Sequence, residues 1–176
     1  SRILSTPAHT AYLKISEGCN WNCAFCAIPL IRGKHKSEPI EALIKEAELL
    51  AGQGVKELLV VAQDATYYGM DIYAKRRIAD LLHALSAVEG IEWIRLHYAY
   101  PHHFPMDLIE EMKSNPKICH YLDIPFQHIS DKVLKKMRRT NTKAETFALI
   151  NTLREAIPDL ALMTTLLLGH PGEDEE

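Results

Sequence analysis

The sequence predicts an α/β protein with a parallel β-sheet covered by helices, on the basis of three observations. Strand-like apolar runs alternate with amphipathic helix-like runs, which is the pattern of repeated βα units. Polar residues follow the predicted strands, at the edge where parallel sheets carry their sites. The length of 176 residues suits one domain with a sizeable core. The alternation by itself leaves open whether the sheet is barrel-like or doubly wound.

Five apolar runs are predicted to be strands. Residues 11–16 alternate between apolar and polar side chains, as a half-buried strand does. Residues 57–64 form an apolar run that is typical of a buried parallel strand. The other predicted strands cover residues 93–100, 121–128 and 161–169.

The spacing of apolar residues predicts helices between these strands. Ser37-Glu38-Pro39 is a helix-start signal, and apolar residues then recur at helical spacing until Gly52. Residues 78–88 show the same spacing. A capping-box pattern begins at Thr142 and opens a helix that Pro158 closes. Shorter helices are predicted after Pro105 and after Ser130-Asp131.

Polar side chains collect after the predicted strands. Because the carboxyl ends of parallel strands lie at one edge of a sheet, we expect these side chains to converge on one face. They are Glu17 with the cysteines that follow it, Gln63 and Asp64, His97 with residues 98–103, Gln127 and His128, and Gly169 and His170.

Composition and charge narrow the function classes. The net charge of −3 gives no global basic field that would indicate nucleic-acid binding. No apolar run reaches the roughly 18 residues that a membrane span needs, and no signal peptide is visible. Closely spaced cysteines without a secretory context favour a reducing compartment, and we therefore expect a cytoplasmic protein with a metal site instead of disulfides.

Three of the four cysteines lie in the segment EGCNWNCAFCAIP, as Cys19, Cys23 and Cys26. A structural zinc site needs four ligands; His35 could supply the fourth, but the second ligand pair of a zinc finger is missing. Cys119 stands alone before an apolar strand and is interpreted as a core residue. An iron–sulfur cluster fits three thiolates on a short loop better. In a [4Fe–4S] cluster, three cysteines leave one iron without a protein ligand, open to another molecule.

The spacing Cys-x₃-Cys-x₂-Cys at the end of a first strand resembles the radical S-adenosylmethionine superfamily. Phe25 fits this resemblance, because the superfamily favours an aromatic residue before the third cysteine. The resemblance implies a partial (β/α) barrel with parallel strands and outer helices. It also implies that S-adenosylmethionine binds the open iron and is cleaved to a 5′-deoxyadenosyl radical, so that the cofactor carries the radical chemistry.

Five further segments resemble the radical methylthiotransferases in the same order. The branch that the chain resembles most methylthiolates an aspartate in a protein of the small ribosomal subunit, and LHYAYP is the form typical of this branch. A sister branch acts on a tRNA adenosine and usually has Gln-Ser-Gly-Ser where this chain has Gln127 to Ser130. The segments are YLKISEGCNWNCAFCAIPLIRGKHKSEPI, GVKELLVVAQDATYYG, WIRLHYAYP, YLDIPFQHISDKVLKKMRR and TTLLLGHPGEDEE.

The chain departs from these relatives in two respects. They carry an N-terminal domain with a second cluster and a C-terminal TRAM domain, so residues 1–176 are expected to be the isolated radical core. Their last motif usually has an aromatic residue where this chain has His170. A zinc-binding module without catalysis and a tRNA-modifying enzyme remain the alternative interpretations.

The resemblance implies cofactor contacts for residues at the strand ends. Gln63 and Asp64 are expected near the methionine moiety of S-adenosylmethionine, and Gln127 and Arg139 near its ribose or carboxylate. Gly169 would let the backbone approach the adenine closely. Phe25 belongs to the same predicted cofactor site. Trp21, between two of the cysteines, is expected to shield the cluster from water.

No catalytic residue is assigned from the sequence. Several histidines lie near the predicted mouth of the sheet without a definite role: His97, His102, His103, His128 and His170. The expected partners are a small-subunit ribosomal protein as substrate and an electron donor such as flavodoxin. Neither a membrane nor a tRNA is expected as a partner.

Overall fold

The computed structural model describes residues 6–174 of the chain. In chain order its strands are β1 (Thr10–Lys14), β2 (Ser16–Glu17), β3 (Lys36–Ser37), β4 (Glu57–Val61), β5 (Trp93–Leu96), β6 (Tyr121–Asp123) and β7 (Ala161–Met163). Its helices are α1 (Ile28–Arg32), α2 (Ile40–Gly52), α3 (Ile78–Ser86), α4 (Met106–Ser114), α5 (Asp131–Lys136) and α6 (Lys143–Ala156), with a 3₁₀ turn at Ala65–Tyr67.

The main strands are all parallel to their neighbours. The order β1-β4-β5 forms one sheet, and β6 pairs with β7. Backbone hydrogen bonds join β5 to the chain at β6: Cys119 N–H donates to Ile94 O at 2.9 Å, and Ala99 N–H donates to Asp123 O at 2.9 Å. The strands therefore follow one another across a layer in sequence order. The prediction of parallel strands with helices outside is confirmed, in the form of a partial barrel.

The two faces of the sheet differ in character. Helix α2 packs against β1, and α3 packs against β5. Alternate strand residues such as Leu13, Leu58 and Ile94 have no exposed surface and form the core beneath these helices. The residues between them point to the opposite face, as the period of two in a strand requires. This helix-free face carries polar residues, among them Arg95 and Asp123.

The cysteine segment is closed at its base by a hairpin that the sequence analysis did not predict. Strand β2 pairs antiparallel with β3, so that Glu17 lies opposite Lys36. Gly18 has a φ of +76°, and a β-carbon built there would lie 2.3 Å from Lys34 O. Only glycine fits this close backbone approach, which starts the loop that carries Cys19.

Several predicted elements differ from the structure at their ends. Strand β5 ends at Leu96, and Tyr98 adopts a φ of +60° that turns the chain out of the sheet. The strand predicted over residues 161–169 ends at Met163. The helix predicted after Ser130-Asp131 is present as α5, although the Ser130 side chain makes no cap hydrogen bond. The capping box at Thr142 and Glu145 is present as predicted.

Among residues 6–174, no helix combines the length and the apolar character needed to cross a membrane.

Candidate metal centre and cofactor site

The three clustered cysteines line one cavity of about 140 Å³ at the carboxyl edge of the sheet. The loop supplies one wall, and the segments that follow β4, β5 and β6 supply the others. The lining residues are Cys19, Trp21, Cys23, Phe25, Cys26, Gln63, Tyr98, Ala99, Tyr100, Pro125, Gln127 and Arg139. Most of the predicted site residues therefore meet at one place.

Backbone hydrogen bonds position the cysteine loop. Cys19 N–H donates to Gly33 O at 3.1 Å, and Ala24 N–H donates to Met137 O at 2.9 Å, just after α5. All three cysteines are free thiols of intermediate exposure. Burial raises the pKa of the Cys19 thiol to about 11. The Trp21 N–H donates to the sulfur at 3.5 Å and partly offsets this rise in pKa, because the hydrogen bond favours the thiolate. Binding to iron would replace the proton, because metal ligation requires the thiolate.

Arg139 is the one cationic residue among those that line the cavity, and its guanidinium lies beside the cysteines. Its Nη1 lies 3.7 Å from Cys23 Sγ, and its Nη2 donates to Pro125 O at 2.6 Å. The guanidinium also lies over the Tyr100 ring at 4.2 Å, which is a cation–π contact. Its Nε is buried without a partner in the described chain. A guanidinium donor left in this way suits a carboxylate ligand.

Gln63 presents an acceptor at the same cavity. Its Nε2 donates to Glu17 Oε1 at 3.0 Å, and Glu17 is in turn fixed by Lys14 Nζ at 2.8 Å. The amide nitrogen is thereby occupied, whereas Gln63 Oε1 is buried and has no partner within residues 6–174. A carbonyl oxygen in this position can accept a hydrogen bond from an ammonium group.

Asp64 does not line the cavity and acts through Trp21. The carboxylate is buried and accepts from Trp21 Nε1 at 2.6 Å and from Thr66 Oγ1 at 2.6 Å. The indole stacks on Tyr100 with ring centroids 4.3 Å apart and planes inclined by 8°. The predicted shielding role of Trp21 agrees with this arrangement, in which the ring is clamped at the side of the cysteine loop. The contact of Asp64 with a cofactor finds no support in its surroundings.

Gln127 and Phe25 both line the cavity. Gln127 has a φ of +71° and is fixed by its backbone, since its N–H donates to Thr165 O at 2.9 Å. Its carbonyl accepts from Leu167 N–H at 2.7 Å, so the side chain is free to face the cavity. Phe25 is 38% exposed and lies at the rim.

Gly169 lies in the last described turn and is not among the cavity-lining residues. Glu173 organises this turn, because its Oε2 accepts from the N–H groups of Gly169 at 2.5 Å and His170 at 3.1 Å. His128 Nε2 lies 3.3 Å from Glu173 Oε1 and lowers the pKa of that carboxyl. The turn forms with His170 at the position where an aromatic residue is usual.

The remaining histidines fall into two places. His102 and His103 have ring centroids 3.9 Å apart with planes inclined by 52°, and burial together with His103 lowers the pKa of His102. Neither lines the cysteine cavity, but the edge of the His102 ring contacts Trp21 with centroids 6.0 Å apart. His97 lies at the end of β5 and its Nδ1 is 2.9 Å from Asp123 Oδ2. The sequence analysis missed Asp123, although a carboxylate inside an otherwise apolar strand is a signal that could have identified it.

The residues present fit an iron–sulfur cluster with S-adenosylmethionine. Three free thiols line one cavity. Arg139 and Gln63 line it as well, and each has one buried side-chain atom without a hydrogen-bond partner within residues 6–174. Within residues 6–174 no three His, Cys, Asp or Glu side chains converge on a single metal ion. His35, the considered fourth zinc ligand, instead has Nε2 3.1 Å from Ser37 Oγ. A cluster binds each thiolate to a different iron, so convergence on one point is not required.

The parallel sheet, the cysteine spacing and the shared cavity are those of an iron–sulfur enzyme of the radical S-adenosylmethionine class. A comparison with known families agrees with this class. The sequence model described as "Radical SAM superfamily" matches residues 13–176. The chain belongs to the radical SAM superfamily.

Within this superfamily the chain is similar to curated proteins named "Ribosomal protein uS12 methylthiotransferase RimO". It is 62% identical to the protein of that name from Flavobacterium johnsoniae and 60% identical to the one from Christiangramia forsetii, over 99% of this chain in each case. It spans only 40% and 39% of the length of these relatives.

Solved structures resemble the chain in fold. The radical S-adenosylmethionine methyltransferase TsrM from Kitasatospora setae, with cobalamin and a [4Fe-4S] cluster bound, superposes with a TM-score of 0.72 at 19% identity, over 93% of this chain and 32% of that one. The cobalamin-dependent enzyme OxsB superposes with a TM-score of 0.65 at 13% identity, over 88% of this chain and 23% of that one. At such identities the likeness concerns the fold alone.

Proposed function

We propose that this chain is the radical core of a methylthiotransferase that modifies an aspartate of ribosomal protein uS12. The observation that carries the proposal is the meeting of Cys19, Cys23 and Cys26 with Arg139 and Gln63 in one cavity. The 62% identity to a RimO protein over nearly the whole chain supports the choice of substrate. The proposal includes that residues 1–176 form one domain, which works with further domains of the kind its longer relatives contain.

The residues that line the cavity have separate roles in this proposal. Cys19, Cys23 and Cys26 hold a [4Fe–4S] cluster and leave one iron open for S-adenosylmethionine. The Arg139 guanidinium receives the carboxylate of S-adenosylmethionine, and Gln63 Oε1 accepts from its ammonium group. Bound together, cluster and S-adenosylmethionine supply a 5′-deoxyadenosyl radical that removes hydrogen from an unactivated carbon.

Other residues position the cysteine loop and exclude water from the site. Trp21 covers the side of the cysteine loop through its stack on Tyr100, and Asp64 holds the indole in place. Gln127 faces the ribose side of the cavity, and Phe25 packs at the rim beside the third cysteine. The exclusion of water protects a reactive intermediate and strengthens the electrostatic contacts around it.

The rest of the reaction depends on partners outside this chain. A second [4Fe–4S] cluster in an N-terminal domain would supply the sulfur, and a donor such as flavodoxin would supply the electron. A ribosomal substrate places the enzyme in the cytoplasm, with no role for a membrane.

Anaerobic reconstitution with iron and sulfide tests the proposed cluster. We expect about four irons per chain, the broad visible absorption of a [4Fe–4S] cluster, and 5′-deoxyadenosine after reduction with S-adenosylmethionine present. Cys23→Ala should bind less iron and make no 5′-deoxyadenosine, whereas Cys119→Ala serves as the matched control outside the cavity. One zinc and no iron after anaerobic purification would instead support a zinc-binding module.

The substrate is tested with the full-length enzyme that contains this domain. A uS12 peptide and a tRNA are offered in parallel reactions, and products are identified by mass. Modification of the peptide alone supports the proposal. Modification of the tRNA alone would place the chain with the tRNA-modifying branch.

A further inference from the structure

The helix-free face of the sheet carries a connected set of polar residues that ends beside Tyr98, a residue of the cofactor cavity. Arg95 Nε donates to Glu57 Oε1 at 2.9 Å, and the guanidinium lies 5.2 Å from the centre of the Tyr121 ring. Tyr121 Oη donates to Asp123 Oδ2 at 3.3 Å, and Asp123 Oδ2 also lies 2.9 Å from His97 Nδ1. The set ends at His97, the residue before Tyr98, which lines the cysteine cavity.

Asp123 fixes the orientation of the His97 ring. The carboxylate is 4% exposed and accepts from the Tyr98 N–H as well as from Tyr121. An ionised carboxylate only accepts, so His97 Nδ1 carries a hydrogen and donates to it. This hydrogen bond sets the ring so that Nε2 is the nitrogen available to another group.

His97 Nε2 is buried and has no hydrogen-bond partner within the described chain. Burial of a polar atom without a partner is costly, and such an atom in a native structure calls for a ligand. His97 directly follows β5 and continues its pairing, since its N–H donates to Val60 O at 3.0 Å, so alternation directs its side chain away from the core that Leu96 joins. Its ring centroid lies 6.0 Å from that of Tyr98, which lines the cofactor cavity.

We propose that His97, held by Asp123, receives the carboxylate of the substrate aspartate through a hydrogen bond donated by Nε2. This inference rests on the proposed function and names the substrate contact that the function requires. The ring then lies between two carboxylates, with Nδ1 donating to Asp123 and Nε2 donating to the substrate. The bond to the substrate carboxylate is charge-assisted and orients the neighbouring carbon toward the cavity. Asp123 acts as a positioning residue and His97 as a substrate-binding residue.

The test compares two peptides that differ in one group, using the full-length reconstituted enzyme. One uS12 peptide carries the target aspartate, and the other carries asparagine at that position. The measured quantity is the ratio of kcat/KM for the two peptides. Changes in cluster content or in S-adenosylmethionine cleavage affect both peptides equally, because both react with the same holoenzyme, and these changes therefore cancel in the ratio.

We expect the wild type to prefer the aspartate peptide and His97→Gln to lose that preference. Glutamine places an amide near the position of Nε2, and an amide pairs with aspartate or asparagine because it both donates and accepts. Loss of the discrimination supplied by one hydrogen bond to a charged group predicts that the ratio falls about 10- to 100-fold. Asp123→Asn, which removes the carboxylate that fixes the ring, should lower the ratio in the same direction.

The chain offers a matched control in a second His–Asp pair. His120 Nδ1 lies 2.8 Å from Asp159 Oδ1, a distance similar to that between His97 and Asp123. His120 precedes β6, whereas Asp123 is the last residue of that strand, so the two pairs lie at opposite ends of it. His120→Gln should leave the ratio unchanged.

Separate outcomes overturn the inference and the proposed function. An unchanged ratio in His97→Gln, or a rise in KM for S-adenosylmethionine with the ratio intact, overturns the inference alone. Should His97→Gln fail to fold, equal turnover of the two peptides by the wild type overturns it as well. A wild type that modifies neither peptide overturns the proposed function and this inference with it.

Discussion

Arg139 reaches Cys23 across 116 residues of sequence, with its Nη1 3.7 Å from the cysteine sulfur. The same guanidinium is held by Pro125 O at 2.6 Å and lies over the Tyr100 ring at 4.2 Å. The contact places a permanent positive charge beside a thiol that would bind iron. Charge near a cluster is one of the factors that set its reduction potential.

Replacing Arg139 by methionine should therefore lower the potential of the reconstituted cluster. Reduction adds negative charge, which the guanidinium stabilises, and methionine keeps the length of the side chain without that charge. We expect a shift to more negative potential on the order of tens of mV, measured by a redox titration followed by EPR. Arg138→Met, at an exposed neighbour, is the control. Equal potentials in wild type and Arg139→Met would contradict the prediction.

Trp21→Phe should make the cluster more sensitive to air. Phenylalanine keeps an aromatic ring against Tyr100 but removes the N–H that donates to Asp64 at 2.6 Å, leaving the ring less firmly held. Loss of visible absorbance after exposure to air should proceed several-fold faster than in the wild type. Trp93→Phe, at a side chain that is 57% exposed on β5, should behave like the wild type. The prediction fails if Trp21→Phe decays at the wild-type rate.

Gly18→Ala should prevent the cysteine loop from closing correctly. The residue has a φ of +76°, and its new β-carbon would lie 2.3 Å from Lys34 O. Strain in the left-handed region and the backbone clash together should lower the free energy of unfolding by about 2–5 kcal/mol. Urea denaturation and the iron content after reconstitution measure both effects.

Gly33→Ala is the matched control for this change. Gly33 has a nearly identical φ of +75°, but a β-carbon there meets nothing within 4 Å. Its cost should be limited to the conformational strain, about 1–3 kcal/mol, because its ψ of −163° places it in a region that glycine alone occupies readily. An equal decrease in the free energy of unfolding in the two variants would show that the close backbone approach at Gly18 does not contribute to the cost of the substitution.

Glu145→Gln should reduce stability in a pH-dependent manner. Hydrogen bonds from the backbone and side chain of Thr142 lower the Glu145 pKa from its ordinary value of 4.5. A carboxyl with a lowered pKa in the folded state adds stability above its unfolded pKa, and this stability is lost as the pH falls through the folded pKa. We expect Glu145→Gln to be less stable at neutral pH by less than about 1 kcal/mol, because the site is exposed.

The stability curves of wild type and Glu145→Gln should meet once the carboxyl is protonated. Thr142→Ala removes the hydroxyl that accepts from Glu145 N–H at 3.2 Å, a bond that does not depend on the charge, and also the bond that this hydroxyl donates to Glu145 Oε2 at 3.0 Å, which does. Its deficit of about 1 kcal/mol should therefore shrink in acid without vanishing. Urea midpoints at a series of pH values distinguish the two variants, and a constant deficit for Glu145→Gln would contradict the assignment.

Much of the fold could be predicted because it is encoded in local patterns. The helices α2, α3, α4 and α6 follow from the spacing of apolar residues and from signals such as the Thr142 capping box. The spacing of the three cysteines predicted a shared site, and all three line one cavity. Strand ends were predicted less well, because residues such as Tyr98 leave the sheet through a positive φ that no neighbouring residue signals.

The class of the protein is encoded in local sequence, through alternating βα units and a Cys-x₃-Cys-x₂-Cys loop after the first strand. Which polar residues share the cavity depends on the packing of the folded chain. It brings Arg139 and Gln63 to the cysteines, assigns Asp64 to Trp21, leaves Gly169 in a separate turn, and pairs His97 with Asp123. The physical reason is that side-chain periodicity reports burial and local conformation, whereas these contacts join residues far apart in the chain, and their geometry depends on how the strands pack.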